Sequence, residues 1–531
     1  MVDVTLNVTY APVRVAKPSI AAMNNPAPKG AAGKMIGKED ASRCVSIFKT
    51  LGLASIMIFA VVSLVGMIVI WKSGLIERVI SQQLVIEKDT EVYDVWVKPP
   101  VKPIVNIFVF NYTNVAEFTA GKEKLKVKEV GPYVYRLSLE KVRVVFPTND
   151  TVSFQEKKNY QFDPVLTKGS LDDVLMVPSF TVLGTVHKLD KLLGGLPFNP
   201  LPDSFFTKEP FEKIKVRDLI WGYDDAIYDT VRPFLNMVSG DLPAKMGLLV
   251  GKNSTDEMRF TINTGMLDIN KLGIVSAING KKKLSMWRSN ECNRVDGSEG
   301  SMFPPPQVAS GLRLYIFLAQ LCRRIPFDAI KFMVTNGMPA VRYAPPEDVF
   351  SPDNPENQCY CLSGKCPKNG LFNVGPCVFD SPTMASFPHF FQGDPSLLDE
   401  VDGLKPDAEK HQFYLDVHHK FGVPLGGKSR LQINLVAKAK NIAPMKRFKR
   451  DTILPVCWFE VSVDELPPEV KSALKLATHT ASHGLMYFLL CVFVFSSGVI
   501  AYYATKRTRA KVARPLIYSE LPKKLILVQK K

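Results

Sequence analysis

The chain has 531 residues, 46% hydrophobic and 22% charged, with a formal net charge of +16 at pH 7. An excess of cations that large invites a nucleic-acid reading, but most of it lies in two short tails beside long apolar runs. Placed there, the charge is a membrane-topology signal and excludes nucleic acid as the partner.

Residues 1–49 form a Pro/Ala/Gly-rich tail with seven cations (Arg14, Lys17, Lys29, Lys34, Lys38, Arg43 and Lys49) against Asp3, Glu39 and Asp40. Residues 50–71 follow as an uncharged run of about 22 residues until Trp71, close to the ~20 that a helix needs to cross the hydrocarbon core. A cleavable signal sequence would be shorter and nearer the amino terminus, so this is an uncleaved signal anchor. Cys44, just ahead of it, is a palmitoylation candidate.

Residues 72–483 form the domain between the spans. It opens with strand-like alternation in Ile104-Val-Asn-Ile-Phe-Val-Phe, Tyr133-Val-Tyr-Arg-Leu-Ser-Leu and Lys141-Val-Arg-Val-Val-Phe. From about 168 to 238 the pattern changes. Leu171, Val174, Leu175, Val182, Val186, Leu189, Leu192 and Leu193, then Ile214, Leu219, Ile220 and Ile227, predict short amphipathic helices broken at Gly194-Gly-Leu-Pro and Pro202. Strand patterns return in Arg259-Phe-Thr-Ile-Asn-Thr, Lys283-Leu-Ser-Met-Trp and Arg430-Leu-Gln-Ile-Asn-Leu-Val-Ala. The expected fold is a β-rich α+β domain with a helical insertion.

A second uncharged run spans 484–505, and the 506–531 tail sets nine cations against Glu520 alone. The tails carry +4 and +8, so both termini face the cytoplasm. Within the last tail Tyr518-Ser-Glu-Leu521 fits the Tyr-x-x-apolar pattern read by clathrin adaptors, and Arg514-Pro-Leu-Ile517 resembles part of a lysosomal sorting signal without its preceding acid.

Seven of the nine cysteines lie between the spans: Cys292, Cys322, Cys359, Cys361, Cys366, Cys377 and Cys457. An extracellular or lumenal location favours disulfides, and the sequons at Asn111, Asn149 and Asn253 are N-glycosylation candidates there. Cys359-Tyr-Cys361 followed by Cys366 is too tight for a zinc knuckle. Six cysteines in the disulfide-rich part, 292–377, leave fifteen pairings by spacing alone. Cys491, inside the second run, reads as a packing residue.

Catalytic motifs are missing: no G-x-S-x-G, no H-E-x-x-H and no G-x-G-x-x-G. Gly247-Leu-Leu-Val-Gly-Lys-Asn-Ser254 has the wrong spacing for a phosphate loop, and His418-His419 would point to opposite faces of a strand. The chain is therefore not read as an enzyme, and no cofactor or metal is expected.

Many strings together resemble one family. Gly131-Pro-Tyr-Val-Tyr-Arg136, Leu219-Ile-Trp-Gly-Tyr223, Phe303-Pro-Pro305, Leu321-Cys-Arg323, Asn357-Gln-Cys-Tyr-Cys361, Phe387-Pro-His-Phe390, Asp402-Gly-Leu-Lys-Pro406, Tyr414-Leu-Asp416 and Leu431-Gln-Ile-Asn-Leu435 occur in an order similar to class B scavenger receptors. That family includes fatty acid translocase, croquemort and lysosomal integral membrane protein, and the chain resembles an invertebrate member of it.

The resemblance implies a two-span membrane protein whose ectodomain is an irregular antiparallel β-barrel with a helical-bundle cap and an internal lipid tunnel. It implies the pairs Cys292–Cys359, Cys322–Cys377 and Cys361–Cys366, with Cys457 left over as a small buried apolar residue. It also implies ligand capture on the cap. The cap cations are Lys168, His187, Lys188, Lys191, Lys208, Lys213, Lys215 and Arg217, of which Lys188, Lys191, Lys208 and Lys213 are the ligand-binding candidates and Lys208 the foremost. Interspersed Asp172, Asp173, Asp190, Glu209, Glu212 and Asp218 allow a plain mixed-charge face instead.

The function implied is capture of lipoproteins, apoptotic surfaces, anionic phospholipid surfaces or free lipids such as fatty acids, sterols and carotenoids, with transfer to the plasma membrane and endocytic cycling. The alternatives are an endosomal or lysosomal trafficking receptor for a lumenal protein, a lysosomal lipid exporter, and an adhesion or chemosensory co-receptor.

Overall fold

The computed structural model describes residues 38–73, 79, 82–148, 150–192, 208–239, 242–440, 445–476 and 481–519. Asn149, Leu193, Pro202, Leu521 and the 1–37 tail fall outside them. The chain divides into two units, residues 1–65 with 490–531, and residues 66–489.

Two helices are long and apolar enough to cross a membrane, α1 (Lys38–Ser73) through Ile47–Ile70 and, near the other end, Gly484–Arg509 within Ala481–Ser519. Several of their hydroxyls bond inside the helix: Ser63 Oγ donates to the Phe59 carbonyl at 2.8 Å and Ser496 Oγ to that of Val492 at 2.7 Å. Such internal bonding is what a hydrocarbon surrounding demands.

Between them lies one large antiparallel sheet. A short helix α2 (Glu91–Val97), capped by Thr90, leads into β1 (Ile104–Tyr112), β2 (Leu125–Thr148) and β3 (Thr151–Phe162). The cap then contributes β4 (Val174–Pro178), α3 (Phe180–Leu192), β5 (Phe211–Lys215), α4 (Val216–Trp221) and α5 (Ala226–Ser239). The sheet resumes with β6 (Thr255–Asn263), β7 (Val275–Ile278), β8 (Leu314–Leu318), β9 (Arg323–Thr335) and β10 (Met338–Ala344). After the short β11 (Phe372–Asn373), β12 (Thr383–Ser386) and β13 (Val401–Asp402) it ends with β14 (Tyr414–His418), β15 (Pro424–Ala437) and β16 (Thr452–Val463). Helices α6 (Pro468–Lys475) and α7 (Ala481–Ser519) complete the chain.

The strand order is β7-β6-β3-β2-β1-β16-β15-β14-β10-β9-β8. Its two outer strands do not stay free. Val275 of β7 donates to the Gly297 carbonyl at 2.8 Å, while Ser298 donates to Tyr315 at 2.7 Å and Phe317 of β8 returns a bond to Ser298 at 2.9 Å. Segment 297–299 thus stitches the outermost strands into a nearly closed barrel, which removes most of the edge an open sheet would expose. A bulge between Ile107 and Val109 helps β1 and β2 curve. Gly131 sits against it with φ +122°, where a Cβ would stand 2.7 Å from the Ile107 carbonyl, so only glycine fits.

Two sequence expectations need correction. The insertion is not purely helical: Val174, Leu175 and Ile214 lie in β4 and β5, which pair with each other as Val174↔Lys215 through Pro178↔Phe211. Five-residue runs with Leu175, Val177, Phe211 and Ile214 buried are too short to separate a period of 2 from one of 3.6. Lys283-Leu-Ser-Met-Trp is not a strand either, having only an isolated bridge from Lys283 to Arg294. Its apolar residues are there because Trp287 fills the core beneath the disulfides and donates Nε1–H to the Cys322 carbonyl at 2.8 Å.

Candidate functional site

The cap is built on α3, whose Val182, Leu183 and Val186 recur at helical spacing and are buried. Its other face is charged and clamped. Lys188 and Lys191 both reach Asp380, at 3.4 and 2.6 Å, and Asp190 holds Lys438 at 3.1 Å together with Lys440. Burial works to raise the Asp380 carboxyl, but Lys191 and Lys188 outweigh it and hold the group below its ordinary range.

Lys208, the foremost ligand candidate, pairs with Asp225, whose other oxygen accepts the Ile227 and Tyr228 amides at 2.9 and 3.0 Å at the start of α5. It neutralises a helix cap, and its own side chain remains 39% exposed. Arg217 and Lys215 share Asp172 at 2.6 and 3.6 Å. Lys168 and Lys213 are exposed and, among the described residues, have no carboxylate within the 4.0 Å ion-pair limit. Lys168 and Lys213 are thus exposed cap lysines without such a partner, whereas Lys188, Lys191 and Lys208 tie elements together.

Where cap meets barrel the contacts are aromatic. Trp221 of α4 packs edge-on to Tyr135 at 5.4 Å and to Tyr160 at 5.6 Å, donating Nε1–H to the Tyr135 hydroxyl at 3.1 Å. Phe211 of β5 meets Tyr112 of β1 at 5.0 Å, and Phe118 meets Phe448 at 5.3 Å. Deeper, Phe108 stacks on Trp458 at 4.0 Å. Composition alone could not pick these rings out of 32 phenylalanines and 16 tyrosines.

Sequence reasoning missed a polar network beside this aromatic column, with His389 and His411 buried and Glu129 partly exposed. Glu129 accepts from Trp458 Nε1 at 2.7 Å and lies 2.6 Å from His389 Nε2. His389 Nδ1 accepts the Lys405 amide at 3.0 Å, so its Nε2 carries the proton donated to Glu129. His411 stacks on His389 at 4.5 Å and accepts the Asp407 amide through Nδ1 at 2.9 Å. The resemblance strings contain His389 but assign it nothing.

Burial pushes the His411 imidazole down to about 4, with His389 and Arg430 adding to the effect and Glu129 and Asp407 opposing it. The folded state keeps His411 neutral while the unfolded chain takes up a proton below ~6.5, so stability falls as pH drops from about 6.5 toward 4. At pH 5 the loss approaches ~2 kcal/mol. Urea unfolding at pH 7.4 and 5.0 checks this. The His411→Gln variant is expected to lose about 2 kcal/mol less on acidification than the parent, and equal losses would remove His411 from the effect.

Disulfides join Cys292 to Cys359, Cys322 to Cys377 and Cys361 to Cys366, so none of these thiols is available to a metal. Cys457 is free and fully buried in the barrel core, where burial pushes its thiol up. Asn111 is half-buried, its Oδ1 accepting the Met176 amide at 2.9 Å, and Asn253 is exposed, its Oδ1 accepting that of Tyr160 at 2.9 Å. The side chains of Cys44 and Tyr518 lie outside the described residues.

Comparison with known proteins adds the lineage. A profile of the CD36 family matches residues 54–505. The chain is 32% identical over 424 residues to scavenger receptor class B member 1 of Cricetulus griseus, covering 77% of this chain and 80% of that protein. It is 30% identical over 423 residues to the Mus musculus protein of the same name, covering 78% and 80%. With lysosome membrane protein 2 of Homo sapiens it shares 28% over 441 residues, 81% and 89% of the two chains. With two spanning helices, a nearly closed antiparallel barrel and a match over nearly its whole length, the chain belongs to the CD36 family.

Proposed function

We propose that this chain is a scavenger receptor that binds lipoproteins, apoptotic surfaces or free lipids on its cap and passes lipid through the barrel to the membrane that its spans cross. The aromatic junction of Trp221, Tyr135, Tyr160 and Phe211 carries this reading, because it forms an apolar step between cap and barrel. A lipid that crosses water must expose apolar surface at ~25 cal/mol per Å², and a covered apolar path avoids that cost. The two relatives named scavenger receptor class B member 1 support the same reading.

Both termini then face the cytoplasm, with the domain outside it at the plasma membrane. A second reading, residence in endosomes or lysosomes, is favoured by the relative named for the lysosome membrane. In cells displaying a tagged chain, saturable uptake of a fluorescent cholesteryl ester from lipoprotein particles is expected above that of mock-transfected cells. Binding of particles without lipid uptake would overturn transfer and favour an adhesion receptor, while the tag's location separates the two membranes.

A further inference from the structure

The most exposed apolar strip of the β-sheet lies on the second half of β9. Ile330, Phe332 and Val334 are 55, 74 and 70% exposed. Strand β8 pairs only with residues 323–327 of β9, so beyond Asp328 one edge of β9 has no neighbouring strand. An apolar edge left open to water invites aggregation. Such an edge is suited to lie against something other than water.

Chain connectivity indicates what. Strand β1 begins and β16 ends side by side, Ile104 opposite Ser462, so both connections to the spans leave the barrel at one rim. Strands β14 and β15 stop pairing at that rim, at Val417↔Pro424, but β9 and β10 run on to their turn at Asn336-Gly337. The far face of this hairpin packs on α6: Met333 and Met338 join a cluster with Leu466, Val470 and Leu474, and the Cβ position of Gly337 lies 3.4 Å from Lys475. Helix α6 leads directly into the second span. Eight residues lie between Lys475 and Gly484, a reach of at most roughly 30 Å even when fully extended. Lys475, and the hairpin turn beside it, are therefore held within that reach of the start of the second span.

Its charge fits that surface. From Ala329 to Pro346 there is no acidic residue, and Lys331 lies between Ile330 and Phe332. Lys331 projects from the opposite face of the strand to Phe332 and Val334, and its long flexible stem can still carry the ammonium past the open edge to the head groups.

We propose that the β9–β10 hairpin is a membrane-docking element: Ile330, Phe332 and Val334 enter the interface of the leaflet on the domain's own side, with Lys331 at the phosphates. The contact would hold the barrel rim against the lipid and fix the domain's tilt. It rests on the tether and the exposed strip, not on lipid transfer.

The test uses the full chain in lipid nanodiscs, with Cys44 and Cys491 replaced by serine and an environment-sensitive dye on Phe332→Cys or, separately, Val334→Cys. The reference site is Val165→Cys, at a residue 89% exposed on the connection from β3 to β4. With nitroxide-labelled lipids in the disc, quenching at 332 and 334 is expected to exceed that at 165 several-fold. Quenching no greater than at 165 overturns the proposal, as does quenching only by a nitroxide-labelled second copy, which would make the edge a subunit interface. Neither outcome bears on lipid uptake, so docking and transfer fail independently.

Discussion

Serine at both Cys322 and Cys377 is expected to destabilise the domain by about 4 kcal/mol, the chain-entropy value for a closed loop of this order, the sequence separation being 55. The bond sits at a junction. Cys322 follows Leu321 in the core, its carbonyl receives the Trp287 indole N–H, and Arg323 next in sequence is buried against Tyr360 and Phe372 at 4.2 and 4.7 Å. Loss of the cross-link would loosen the segment that positions β8 and β9, and with it the edge that closes the barrel. Serine at both Cys361 and Cys366, separated by 5 residues, is expected to cost only about 2 kcal/mol by the same reasoning. Urea midpoints under non-reducing conditions give the comparison. Equal losses for the two pairs would mean that local packing, rather than loop closure, sets the value of these bonds.

Much of this architecture is legible in the sequence, for reasons that differ by element. The spans are visible because hydrocarbon admits few polar side chains, so residues 50–71 and 484–505 stand out by composition. Long strands such as β1 and β15 are legible because alternation persists over many residues, as in the burial of Val105, Ile107 and Val109. The cap was only half legible: β4 and β5 are five-residue strands, and a few buried apolar residues fit a helix turn as well as a strand. Barrel closure could not be read at all, since segment 297–299 carries no strand pattern and acts through its backbone. The cap lysines illustrate another limit. Lys208 and Lys213 look alike in sequence, and only Asp225, 17 residues from Lys208, separates a paired cation from an exposed one. The polar network was hidden for a related reason, because Glu129, His389 and His411 come from three distant segments.

Arg430→Leu is expected to cost about 3–5 kcal/mol, the range for removing one partner of a buried ion pair. Arg430 on β15 lies directly across from Glu460 on β16, which in turn faces Asn106 on β1, so the pair pins the registers of three adjacent strands. Nε and Nη2 donate to one Glu460 oxygen, each at 2.7 Å, and Asn106 Nδ2 donates to the other at 3.0 Å. Nη1 donates to the Glu409 and Gln412 carbonyls at 3.0 and 2.9 Å, bracketing the turn that carries His411. With leucine at 430 the Glu460 carboxylate stays buried, keeping Asn106 and a Lys428 ammonium 3.8 Å away, and two carbonyls lose their donor. The penalty is thus mostly that of the charge left behind. Adding Glu460→Leu to Arg430→Leu should accordingly recover about 1–2 kcal/mol, because a buried pair replaced by apolar side chains is often neutral. Recovery stays incomplete since nothing replaces the bonds to Glu409 and Gln412. Chemical unfolding of the two single variants and the double variant decides the matter. A double variant whose loss equals the sum of the singles would show that Arg430 and Glu460 act independently, and the network joining β1, β16, β15 and the His411 turn would lose its centre.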